Sequence, residues 1–174
     1  MPQLQDPNFH RSVVLLVQHD QNGTFGLVLN RPVDLSVLKL CESLDLAWRG
    51  DPEANVHWGG PVQPSTGWAL FDDELSLNAE ADGLTALSDG LFFGGSLSLL
   101  QAVVESPPEH VRIFLGYAGW GPDQLEGELA EGAWLIAPLM RELVFGLPSV
   151  SMWEGVVRHL GVDPATLIAT RGVH

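Results

Sequence analysis

Residues 12–32, "SVVLLVQHDQNGTFGLVLNRP", constrain the fold most, because two apolar β-branched runs (12–19 and 24–30) flank the turn-forming "DQNG". That pattern predicts a β-hairpin at the front of the chain. Pro32 cannot continue a ladder, and past it the period changes, with Leu35, Leu38, Cys41 and Leu44 at helical spacing behind Asp34, a candidate N-cap.

The same alternation continues downstream. "VHWGGPV" and "GWALF" read as short strands cut by glycine and proline, while the polar region 72–90 gives no clear element. "LFFGG" leads through a double-glycine turn into the helix "SLSLLQAVVES", for which Ser96 is the candidate cap. "VRIFLGYA" (111–118) is a strong strand, "GWGP" turns it into the helix "DQLEGELAEG", "AWLIAP" returns as a strand, and "SVSMWEGVVRHLG" has helical spacing. A hairpin first and mixed crossings later give an α+β domain, one unit across residues 1–174.

Charge excludes several partners. Eight Lys+Arg stand against 22 Asp+Glu, a net charge of −14 that repels phosphate backbones and anionic lipids. Neither direct nucleic-acid binding nor a membrane partner is expected, and no apolar run approaches the roughly 20 residues of a membrane span. Cys41 is the only cysteine, which excludes an internal disulfide and paired-cysteine zinc sites and suits a reducing cytoplasm.

Motifs that would announce chemistry are missing. There is no G-x-x-x-x-G-K-[ST], no G-x-G-x-x-G and no H-E-x-x-H, and the histidines at 10, 19, 57, 110, 159 and 174 share no close helical spacing. No cofactor and no metal are expected. "GGSLS" (94–98) has the strand, turn and helix order of a nucleophile elbow, with Ser98 where the last glycine belongs. Ser96 is then either a capping serine or a nucleophile with His19 or His57 as a distant base. Alternatively, Gly94, Gly95 and Ser96 present backbone N–H groups to a small anion. In "GYAGWGPDQLEGEL" (116–129), Asp123 and Glu126 already complement the helix dipole and would oppose a phosphate, which makes that stretch a structural corner. Tyr117 and Trp120 could still line a groove.

Four segments together resemble the YqgE/AlgH family of bacterial proteins across nearly the whole chain: D-P-x-F-x-R-S-V at 6 to 13, G-x-x-x-N-R-P at 26 to 32, G-G-P-V at 59 to 62 and G-Y-A-G-W at 116 to 120. The resemblance implies an α+β fold of branched mixed β-sheet with a small closed barrel, surrounded by helices. Its recurring positions fall on Asp6, Arg11, His19, Asn30, Gly59, Gly60, Tyr117, Trp120 and Glu128, without assigned roles. It implies no established reaction; members are often labelled transcriptional regulators, so the expected function is a non-catalytic cytoplasmic binding or regulatory module with protein partners. Relatives carry a short apolar strand ahead of the P-x-L-x-D-P segment, where this sequence has Met1. An absent strand there would leave a neighbouring edge open to self-association.

Overall fold

The computed structural model describes residues 6–72 and 83–169, so the stretch 73–82, most of the unassigned polar region, lies outside it. The expected hairpin is β1 (Val14–Asp20) with β2 (Gly23–Val28), paired antiparallel from Val14↔Val28 to Asp20↔Gly23. β3 (Pro32–Ser36) follows and runs directly into helix α1 (Val37–Ser43). The cap of that helix is Ser36, whose hydroxyl accepts from Lys39 N, and Asp34 instead lies within β3. Extended backbone at Pro32–Ser36 pairs with β4 (Asn55–Trp58), so tertiary pairing delays the helix by two residues.

β5 (Val62–Phe71), β6 (Leu84–Ala86) and β7 (Phe92–Gly94) come next, then α2 (Leu97–Glu105) and β8 (Val111–Trp120). The strand order is β1-β2-β8-β5-β7-β6, with β4 also on β8 and β3 on β4; the sheet curls into a half-barrel. The α+β class and the branched mixed sheet are therefore present. Beyond β8 lie α3 (Gln124–Ala130), α4 (Arg141–Phe145), a 3₁₀ turn at Ser149–Ser151, α5 (Met152–His159) and α6 (Pro164–Ala169).

β8 explains the branch. Along one side it pairs with β5, from Val111↔Phe71 to Tyr117↔Val62. Along the other it pairs in parallel with β4 at Phe114 and Leu115, then antiparallel with β2 from Ala118 to Trp120. Gly59 joins the two halves, since its N–H donates to Leu115 O at 2.8 Å and its carbonyl accepts from Val28 N at 2.8 Å. "GYAGW" is thus the second half of a strand and not a corner. Gly116, at φ +75, lets the strand change partner without stopping.

The two central strands bury both faces. Leu70 and Phe114 point into one core with Leu15, Leu27, Phe93 and Met152, while Ala69, Phe71 and Ile113 point into the other with Val56, Leu99 and Val103. That two-sided burial follows from the period of two along a strand covered on both faces. "AWLIAP" (133–138), expected as a strand, is neither strand nor helix and joins no sheet among the described residues.

Candidate functional site

The family-motif residues gather around the hairpin and the branch. Asn30 acts as a side-chain stitch, with Oδ1 accepting from Val13 N at 2.9 Å and Nδ2 donating to Arg11 O at 2.9 Å. Arg11, at φ 51, places its guanidinium 5.4 Å from the Trp153 ring centroid. Asp6 opens the turn before it by accepting from Asn8 N through Oδ1 and from Phe9 N through its carbonyl. Gly59 and Gly60 face Gly116 and Tyr117 backbone to backbone, with no room for a side chain.

Trp120 is 6% exposed and joins Ala118 and Leu125 in a small core with Phe9 and Trp134 packed on it. One carboxylate fixes this cluster: Glu128 Oε2 accepts from Trp120 Nε1 at 3.0 Å and from Trp134 Nε1 at 2.7 Å. Gln124 donates to Glu128 Oε1 and accepts from Gly121 N, which closes the turn. The residue at the N-cap position of α3 is Asp123, at φ 59 and without a side-chain cap.

His19 stands between Thr24 Oγ1, 2.6 Å from Nδ1, and Glu126 Oε1, 3.3 Å from Nε2. Hydroxyl, imidazole and carboxylate lie in the order of a nucleophile relay. Here the hydroxyl belongs to a buried residue of the β2–β8 ladder, and the row ties the hairpin to α3. Beside it Tyr117 and Trp120 line a shallow bowl of about 410 Å³ with Gln18, Asp20 and Asn22 on its rim. Tyr117 also stacks against Phe25 and meets Trp68 edge-on.

The Gly94, Gly95 and Ser96 turn is closely filled. Ser96 Oγ accepts from Leu99 N, the capping bond expected, while a side chain at Gly95 would strike the Trp68 ring and one at Gly94 the Leu99 side chain. His57 lies elsewhere, 3.4 Å from Ser149 Oγ and against Phe114. Burial, aided by the Arg112 charge, pushes the His57 imidazole down to about 4, and Nδ1 has no partner among the described residues. Burial likewise pushes Arg112 down to about 10, and its guanidinium donates to Leu29 O and lies over Phe145. Nothing local in the sequence marks these two half-buried groups. Among the described residues no three metal-ligating side chains cluster, and no helix is long and apolar enough to cross a membrane.

One apolar feature was not foreseen. A groove of about 240 Å³ runs between β1 and the segment 134–140, over Trp120, Leu125 and Leu129, with Trp153, Val157 and Leu160 of the α5 region also lining it. Leu16, Leu135 and Ile136 stand exposed along it, at 43%, 45% and 72%. Its walls come from residues 12–16, 120–144 and 153–160, too far apart in sequence for periodicity to join them.

Comparison with known proteins places this architecture. A family profile described as AlgH-like matches residues 1–165. A UPF0301 protein of Myxococcus xanthus (strain DK1622) is 42% identical over 176 residues, covering 100% of this chain and 94% of the relative. One from Alcanivorax borkumensis is 40% identical over 177 residues, covering 100% and 92%. The solution structure of the AlgH protein from Pseudomonas aeruginosa superposes with a TM-score of 0.76 at 34% identity, covering 100% of this chain and 91% of that one. A crystal structure of a Corynebacterium diphtheriae protein gives a TM-score of 0.73 at 27% identity, covering 99% and 87%. From its motifs, its branched sheet and these relatives alike, the chain belongs to the AlgH-like family.

Proposed function

We propose that this protein is a non-catalytic binding module of the cytoplasm that regulates through protein contacts, with the groove beside β1 as its contact surface. One observation carries the reading: Leu16, Leu135 and Ile136, three of the large hydrophobic side chains the fold leaves exposed, converge on a single concave apolar surface. Concentrated apolar exposure of this kind marks interaction sites, whereas scattered apolar residues do not. The −14 charge argues against duplex DNA as the target, so a regulatory effect would pass through a protein.

The test compares captures from native cytoplasm by the tagged protein and by Ile136→Asp, read by quantitative mass spectrometry. Ile136 is 72% exposed, so the variant should melt within a few degrees of the wild type. At least one protein should be enriched by the wild type and fall about tenfold or more with Ile136→Asp, because a carboxylate cannot be desolvated cheaply in an apolar groove. Equal capture by both forms would remove the groove from the reading.

A further inference from the structure

Building on that reading, we infer that the groove takes an extended apolar segment of another protein, flanked by basic residues, which adds as a strand between β1 and residues 134–137.

The argument rests on backbone hydrogen bonds. Among the described residues β1 is the last strand of the sheet on its side, and Leu29 N donates to Val13 O, so Val13 turns its backbone groups toward β2. Alternation along an antiparallel strand then turns those of Val14 and Leu16 outward, into the groove. On the other wall, residues 134–139 belong to neither helix nor strand and their backbone makes no hydrogen bond among the described residues. Two runs of unmet donors and acceptors therefore border one apolar gap. Buried backbone groups are almost always paired, and leaving one unpaired costs about as much as a lost hydrogen bond. A lipid or a small apolar molecule would cover the side chains and strand these groups; an extended polypeptide meets both. Pro138 has no N–H, so pairing on that wall ends at Ala137.

Charge selects among polypeptides. Among the described residues no charged side chain lines the groove, and the elements around it carry an acidic excess: Glu126 and Glu128 on α3 with Glu131 at its end, Glu142 beside Arg141 on α4, and Glu154 ion-paired with Arg158 on α5. A second copy would bring another −14 to the contact, whereas lysine or arginine beside an apolar strand would be drawn to it.

The probe is a synthetic peptide pool with a five-residue core drawn from Val, Ile, Leu and Thr between paired lysines, selected on the full chain and read by fluorescence anisotropy. A selected peptide should weaken about tenfold or more when alternate amides along one edge are N-methylated, which removes hydrogen bonds and leaves its side chains. It should also weaken as salt rises and toward Leu16→Lys. Equal binding of the methylated peptide would overturn strand addition and leave the protein-contact reading standing. A micromolar dimer in sedimentation that Leu16→Lys dissolves would assign the edge to a second copy and overturn the inference. If the pool yields no binder while the groove still captures a cytoplasmic protein, strand addition fails alone; if neither binds, both readings fail.

Discussion

Gly60→Ala is expected to leave little folded protein. Gly60 sits at φ +152, and a Cβ there would lie 2.1 Å from the carbonyl carbon of Tyr117 and 2.3 Å from Ala118 N. Both are backbone atoms of β8, held by β5 on one side and β2 on the other, so they cannot rotate aside as a side-chain tip would. Overpacking of this kind costs about 1–3 kcal/mol, and a strained φ adds a similar amount. Their sum of roughly 2–6 kcal/mol is a large part of a total stability near 5–15 kcal/mol. Denaturant melts of soluble material check it. Gly127→Ala is the control, since a Cβ there meets nothing within 4 Å and helix propensity favours it. Loss of stability in both variants, or in neither, would contradict the close approach at the branch.

Trp120→Ala should cost about 3–5 kcal/mol, the range for a large aromatic truncated in a core. The residue is 6% exposed, stacks on Phe9 with centroids 6.0 Å apart and meets Trp134 edge-on at 5.8 Å. Trp120→Phe separates packing from polarity. It keeps much of the apolar contact and removes one indole donor from Glu128, so it should cost about 1–3 kcal/mol. The same cluster forms the groove floor, and Trp120→Ala should therefore also weaken partner capture. Thermal or denaturant unfolding orders the three proteins. A Trp120→Ala variant as stable as the wild type would show that this tryptophan is a surface contact instead of a packed one.

Local chemistry was readable where it decides local structure. The hairpin around "DQNG" and the Ser96 cap of α2 depend on residues a few positions apart, and both are present. Misreadings arose where a distant partner decides. Gly116 and Gly119 look like punctuation, yet their strand continues because β4 and then β2 receive it. Asp34 is as good a cap as Ser36 by residue type, and pairing of β3 with β4 selects the serine. "AWLIAP" has strand composition but forms no strand, because composition cannot supply a neighbour. The half-buried His57 and Arg112 carry no local signal at all, since their enclosure comes from the sheet and from the Phe145 and Ser149 segment folding over it. The groove is legible only in three dimensions for the same reason.

The open strand edge beside the groove is the central claim, and amide hydrogen exchange in the free protein, resolved by residue, tests it most directly. Exchange reports local opening and backbone pairing together, and unpaired edge amides exchange far faster than those of a central strand. Val14, Leu16 and residues 134–137 should exchange rapidly, while Ile113 to Tyr117 of β8 should be the slowest in the chain. Protection of Val14, Leu16 and 134–137 comparable to that of β8 would mean that a strand already fills the groove in the free protein, and would contradict the claim.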